Sequence, residues 1–516
     1  MNLATFLIDN ARRTPDKDSI RCGPERLTWR ELDCQTDSLA SALQGLGIKP
    51  GDRVGILLPN AIAFLVSYWA AIKAGAVASP INTMYKQDEI AYLFRNSGLR
   101  VLITEAQFLP LIDLAWVETT ALEHIIVVGD AVPFGAHRFA DLVGAPAKPV
   151  LVDRNPDDLC ALHYTSGTTG RAKGVMITHR NWWVGMMQWH VDIWSIVPED
   201  IHLVVLPIFH TFGLMMTLVA FAKGGTIRLL PRWDVQEVAK YIETERITVF
   251  SGVPTMYVYL TRDINLEERD LTSLRLAVVG GAPIPVEVQR EFIARTRVCV
   301  VDWYGCTGWA STTSPLWEPD APQKYGSIGK RLPYPEVEMA IVDEQGKPVP
   351  TGEIGELIVR APSIPPGFWR LPGKTARDFR DGWFYTGDLA RLDSDGYYFL
   401  VERKDDLIIT AGYNVYPREV EEVLFTMPQV YEAAVVGVPD QIKGEIVKAF
   451  VVLREGASAT SDSVVDYCRE RLANFKVPRE VEFIPELPKL PNGKILRRAL
   501  RNPAGGARQT ATAPGR

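Results

Sequence analysis

Short β-branched runs alternate with amphipathic segments through the first four hundred residues. RVGILLP is followed by AFLVSYWAAIKAG and AVASPIN, and later come RVLITE, HIIVVG, TIRLLP, ITVFSGVP and LRLAVVGG. Strand, helix, strand with short Gly-containing connections predicts parallel α/β sheets, since only a crossover helix can return the chain to start a parallel neighbour. Asn60, just after VGILLP, is placed to cap the helix that follows. Ile201 to Ala222 has no Asp, Glu, Lys or Arg and is long enough to span a bilayer, but Pro207, His210 and Gly213 interrupt it. It predicts a buried strand (HLVVLP) and then a buried helix (GLMMTLVAFA), with no membrane span.

From about Ser327 the rhythm shortens to strands and turns. EVEMAIVDEQGKPV, GEIGELIVR and GYYFLVERKDD carry the hairpin-type turns DEQG and DSDG, which predicts a small β-rich subdomain. After Arg403 the pattern is mixed, with a helix from Pro417, strands AAVVGVP and KAFVVLREG, and a helix SVVDYCRERLANF. The division expected is residues 1–402 as a large N-terminal domain, 403–500 as a small α+β domain, and 501–516 as a disordered tail of small, polar, Gly- and Pro-containing sequence.

Composition narrows the function classes. Across 516 residues, 62 Asp and Glu outnumber 56 Lys and Arg for a net charge of -6, so no basic surplus points to nucleic acid. The six cysteines are scattered without a C-x-x-C, and the seven histidines show no H-E-x-x-H. Neither a disulfide framework nor a structural metal site is expected, and with no secretory leader at the N-terminus the cytoplasm is the expected location.

The sharpest local signal is Leu162-His-Tyr-Thr-Ser-Gly-Thr-Thr-Gly-Arg-Ala-Lys-Gly-Val175. Its glycines allow backbone N–H groups to turn inward, the hydroxyls add donors, and Lys173 adds positive charge, which together suit a polyphosphate. The order of a Walker A loop is absent, and the flanks CALHYT and VMITH both predict strands.

This segment resembles the phosphate loop of the adenylate-forming superfamily, which holds acyl-CoA synthetases, peptide-synthetase adenylation domains and luciferases; Ala172 stands where proline is usual. Four further motifs follow in the superfamily's order. The resemblance implies nucleotide-binding roles for Thr165, Ser166, Gly167, Thr168, Thr169, Gly170 and Lys173. It implies that Gly280, Gly281, Ala282, Pro283, Tyr304 and Gly305 embrace adenine, that Asp302 receives its amino group, and that Thr307 touches the α-phosphate. Asp388, in a turn of DGWFYTGD, and Arg403 would hold the ribose, Asp405 would be the interdomain hinge, Gly412 would line the thiol's route, and Lys494 in PKLPNGK would be the catalytic lysine.

Leu206-Pro-Ile-Phe-His-Thr-Phe-Gly213 resembles the acyl-pocket segment of acyl-CoA synthetases. His210 stands where amino-acid-activating relatives carry an aspartate, which disfavours an amino-acid substrate. Trp182, Trp183, Trp189, Trp194, Met186 and Met187 on the helix from His179 are expected to flank a pocket for a bulky apolar acid, most of them as core. Coenzyme A is favoured as acceptor over a carrier protein on overall resemblance.

One position departs from the pattern Tyr-Gly-x-Thr-Glu. The chain reads Tyr304-Gly-Cys-Thr-Gly308, so the carboxylate that in relatives helps hold the ATP-bound Mg²⁺ is missing. Losing one preorganised charge costs about 10²–10³ in rate. The expectation is therefore an acyl-CoA ligase for a hydrophobic carboxylic acid that adenylates weakly or not at all and thioesterifies pre-formed acyl-AMP, with a separate adenylating enzyme as its candidate supplier. The alternatives are an ordinary two-step synthetase using ATP and Mg²⁺, and a non-catalytic acyl- or nucleotide-binding protein of the same fold.

Overall fold

The computed structural model describes residues 1–112, 120–165, 172–307, 313–314, 324–490 and 493–501; the tail expected to be disordered lies outside them from residue 502. The large domain contains two mainly parallel sheets. One runs Cys299–Trp303, Leu276–Gly280, Val249–Gly252, Ile201–Val204, Thr226–Leu229, Asp18–Cys22, Glu25–Thr28, parallel except for its last pair. The other centres on Leu159–Thr165, Val77–Pro80, Arg53–Leu57, Val101–Glu105 and His124–Val128. Its central strands are apolar runs because helices cover both faces.

Helix Ile62–Lys73 is almost wholly apolar up to Lys73 and buried except at Ala63, since it touches Arg53–Leu57 and Val77–Pro80 of one sheet and Asp18–Cys22 of the other. The uncharged stretch from Ile201 resolves into strand Ile201–Val204 and helix Thr211–Lys223, whose first eleven residues are buried. No helix among the described residues is long and apolar enough to cross a membrane. Asn60 does not cap the helix after it, as its position had suggested. Its side-chain amide donates to the carbonyls of Leu206 at 3.0 Å and Leu230 at 2.9 Å, and its Oδ1 accepts from Ile208 N. A buried amide that spans two sheets satisfies these three backbone groups at a join where neither ladder can reach them.

The β-rich unit is a mainly antiparallel sheet in which Glu338–Val342, Ile354–Arg360, Trp383–Leu392 and Tyr397–Arg403 follow one another. The turns at Gly346 (φ +77°) and Gly396 (φ +82°) close as DEQG and DSDG predicted, with Asp343 and Asp393 accepting from backbone N–H groups two and four residues on. Strand Tyr397–Arg403 belongs to this sheet, and Ile408–Thr410 to a separate sheet built on Val430–Asp440 and Gly444–Leu453. The chain passes between them through the single turn Lys404–Asp406. Helices Pro417–Phe425 and Ser461–Arg469 complete the C-terminal α+β unit.

Candidate functional site

The loops quoted from the sequence gather where strands of the first parallel sheet end. Strand Leu276–Gly280 finishes at Gly280, whose missing side chain matters: a Cβ there would lie 3.0 Å from the Phe212 ring. Gly281 follows at φ +84°, in the region that favours glycine. The neighbouring strand Cys299–Trp303 carries Asp302 and leads into Tyr304. Asp302 is buried, its Oδ2 has no hydrogen-bond partner among the described residues, and burial raises its pKa to about 7. Such a carboxyl suits a donor supplied by a ligand.

Asp388 lies inside strand Trp383–Leu392, not in the turn expected of it, just before the irregularity between Leu389 and Ala390. That register places it opposite Arg403. Its carboxylate accepts from the Tyr304 hydroxyl at 2.6 Å and pairs with Arg403 Nε at 3.0 Å. The pair raises the Arg403 pKa, and its neighbour Lys404 pairs with Glu356 at 2.6 Å. Asp406 pairs with Arg501 at 3.1 Å, so the charge run RKDD is held in ion pairs rather than simply solvated.

Lys494 enters from the C-terminal unit. Gly493 (φ +80°) accepts at its carbonyl from Thr255 Oγ1 at 3.3 Å, so close that a Cβ on it would stand 2.7 Å from Val253. Burial and the nearby Arg403 charge push the Lys494 pKa down, while Asp388 and Cys306 act in the opposite sense. The charge of the lysine also acts on His210, whose pKa burial first and Lys494 second push down to about 4. His210 caps helix Thr211–Lys223, its Nδ1 accepting from Phe212 N at 3.3 Å. A neutral imidazole, a lysine, an aspartate–arginine pair and a tyrosine therefore converge from five separate segments.

The remaining expected residues divide. Thr165 and Lys173 face each other across the antiparallel pair that frames the phosphate loop. Burial and Lys374 lower the Lys173 pKa, while Asp405 lies close enough to oppose the shift. Ala282 and Thr307 are partly buried, and Pro283 and Gly305 exposed, along the same rim. Gly412 (φ +82°) is not gathered with them: it turns the hairpin between Ile408–Thr410 and Tyr413–Val415, with open space around it. Ser166, Gly167, Thr168, Thr169, Gly170 and the departed position Gly308 lie outside the described residues. Among the described residues no three His, Cys, Asp or Glu side chains could hold a metal ion.

Two features were passed over in the sequence. Cys306 interacts electrostatically with both Lys494 and Arg403. Lys489, in the same PKLPNGK segment as Lys494, donates to Glu432 at 2.8 Å in its own unit and to Tyr259 OH at 2.8 Å in the large one. Nothing in local sequence marks a surface-type lysine as an interdomain contact.

Residues 7–369 match the family model described as AMP-binding enzyme, and residues 419–494 match the AMP-binding enzyme C-terminal domain. The long-chain-fatty-acid–CoA ligase of Bacillus subtilis (strain 168) is 35% identical over 96% of this chain and 94% of its own. The feruloyl-CoA synthase of an Amycolatopsis species is 37% identical over 98% and 99%. The crystal structure of the anthranilate CoA ligase AuaEII in complex with anthranoyl-AMP superposes with a TM-score of 0.92 at 31% identity, covering 98% of each chain. The chain belongs to the AMP-binding enzyme family, within the acyl-CoA ligase branch of the adenylate-forming superfamily.

Proposed function

We propose that the protein is an AMP-forming acid–CoA ligase for a hydrophobic carboxylic acid that runs both half-reactions on one site. In the first, a carboxylate oxygen attacks the α-phosphorus of ATP and pyrophosphate leaves. In the second, the thiol of coenzyme A attacks the acyl carbonyl, loses its proton, and AMP departs. The observation that carries this reading is Lys494, delivered from the C-terminal unit to the Tyr304–Asp388–Arg403 cluster and to His210. A cation there is placed to offset charge that grows between carboxylate and phosphate.

On this reading Asp388 and Arg403 hold the ribose hydroxyls. Gly280, Gly281, Ala282, Pro283 and Gly305 let the backbone approach adenine against Tyr304, and Asp302 takes the amino group. Thr165, Ser166, Gly167, Thr168, Thr169, Gly170 and Lys173 serve the β- and γ-phosphates, and Thr307 the α-phosphate. His210 borders the acyl carboxylate. Asp405 is the hinge, and Gly412 lines the thiol's path once the small unit has turned.

Gly308 favours a slowed first step, while the docked Lys494 favours its retention. The relatives are named as whole ligases or synthases, which lends no support to a separate adenylating enzyme. ATP–pyrophosphate exchange, measured beside CoA ligation of supplied acyl-adenylate, separates the steps. Acid-dependent exchange with thioester formation is expected, and Gly308→Glu should raise exchange without changing ligation of the adenylate. Thioester formation from supplied adenylate with no exchange would leave only the second half-reaction, and neither activity would refute the ligase reading.

A further inference from the structure

Consecutive residues at the end of strand Cys299–Trp303 part company. Tyr304 turns to Asp388 and the β-rich sheet, while the Trp303 ring enters the helical layer on the other side. There it meets Phe212 at 5.3 Å between ring centroids, His190 at 5.2 Å and Trp194 at 5.6 Å. All four side chains are buried, with His190 at 0% exposure and Trp303 at 4%. Phe212 is two residues beyond His210, and its ring fills the space in which Gly280 has no side chain. An acid whose carboxylate lies by His210 and Lys494, with nucleotide on the Tyr304 side, therefore has its tail directed at Phe212 and Trp303.

This group is pinned, not merely packed. Trp303 Nε1 donates to His190 Nε2 at 2.8 Å, and His190 Nδ1 is bonded to the Gly185 carbonyl, so the ring is the neutral Nδ1–H tautomer. Gly185 and His190 are presented by a π-helical stretch, Trp183–Trp189, and the short helical turn after it, which offset the five-residue spacing that bond needs. The one uncommitted polar atom among the four side chains, Trp194 Nε1, is a donor without charge. The wall thus offers no counter-charge to a second carboxylate, and moving Trp303 aside would break a buried hydrogen bond.

Resting on the ligase reading above, we propose that Trp303, positioned by His190, ends the acyl site and restricts the enzyme to compact apolar monocarboxylic acids, aryl or short-chain, at the expense of long-chain fatty acids. The related proteins carry names from feruloyl to long-chain fatty acyl, so overall similarity does not decide between these classes.

The test is CoA thioester formation by the full chain with benzoate, hexanoate and palmitate. For the native protein, kcat/KM for palmitate is expected below about a hundredth of that for the better of the two compact acids, as steric exclusion by a packed wall allows. Trp303→Ala should raise the ratio of palmitate to compact-acid kcat/KM by at least about tenfold. His190→Leu, which removes the acceptor but leaves the tryptophan, should raise it in the same direction, and His190→Gln, which can still accept from Nε1, should restore the native ratio. Because the readout is a ratio, a general loss of folded protein does not move it. Comparable use of palmitate by the native protein would overturn the wall while leaving the ligase reading intact, as would an unchanged ratio in both Trp303→Ala and His190→Leu. Absence of thioester from every acid and from supplied benzoyl-adenylate would refute the ligase reading itself.

Discussion

Two loops of the C-terminal unit, each expected to serve chemistry, stand in opposite circumstances. The Lys494 loop is pressed against the large domain: Gly493 touches Val253 and Thr255, and Lys489 bonds Tyr259. The Gly412 hairpin is turned to solvent, with Ile409 53% and Tyr413 57% exposed and nothing within 4 Å of a Cβ built on Gly412. One rigid unit joined by the turn Lys404–Asp406 presents one loop while it withholds the other. Apolar groups left bare on the idle hairpin are what a second docking surface would show, and rotation about a short hinge is an ordinary way to exchange two such surfaces. On the proposed function, an orientation with the Lys494 loop docked would be the one that serves the first half-reaction.

The sharpest way to break this contrast is to remove the half-buried cation. Lys494→Ala should cut ATP–pyrophosphate exchange by about 10²–10³, the usual cost of one preorganised electrostatic group. CoA ligation of supplied acyl-adenylate should survive. An equal fall in both would show that Lys494 serves binding or folding common to the two steps. The same residue predicts a pH signature. Its pKa lies below the ordinary lysine value because burial and Arg403 disfavour the charged form, so protonated Lys494 is lost at lower pH than an exposed lysine would be. Exchange should decline on the alkaline side accordingly, while adenylate ligation, with Lys494 turned away, should lack that limb; Lys494→Arg, which stays charged, should remove it from exchange as well.

The reverse perturbation falls on the hairpin. At φ +82° a β-branched residue is strained, and Gly412→Val should cost about 1 kcal/mol or more in stability although the space around it is open. Its larger effect should be on thioester formation from supplied adenylate, about tenfold or more if the side chain obstructs the thiol, with exchange little changed. A loss confined to exchange would reverse the assignment of the two loops.

How much of this was legible in the sequence depended on whether a contact is local. The alternation of apolar runs predicted the parallel sheets, and DEQG and DSDG predicted turns of the antiparallel β-rich sheet, because strand period and turn chemistry are written in neighbouring residues. Motif residues Gly280, Tyr304, Asp388 and Lys494 could be named, yet Asp388 was misplaced in a turn because strand pairing with Arg403 overrides the local preference of TGD. Asn60 looked like a cap for the same reason: its partners Leu206 and Leu230 lie 146 and 170 residues away. The Trp303–His190 bond and the Lys489–Tyr259 contact join segments separated by 113 and 230 residues, and no periodicity encodes such meetings.

The smallest effect sharpens the comparison most. Tyr259→Phe removes only the hydroxyl that Lys489 reaches across the domain boundary; the lysine keeps Glu432 at 2.8 Å, so no buried charge is abandoned. Lys489→Met would be a poorer probe, because Glu432, 3% exposed, would lose its cation at a cost of about 3–5 kcal/mol to the small unit itself. One hydrogen bond is worth about 0.5–1.5 kcal/mol, or roughly twofold to tenfold in the balance between orientations. Tyr431–Asp263 and Arg262 with the Val430 and Tyr431 carbonyls still hold the same interface, which keeps the change towards the lower end. Pyrophosphate exchange should therefore fall by no more than about twofold, and ligation of supplied adenylate should hold or rise, since a contact made in only one orientation shifts the population towards the other when it is lost. Equal loss in both half-reactions would mean that Tyr259 supports the fold and not the choice between the two loops.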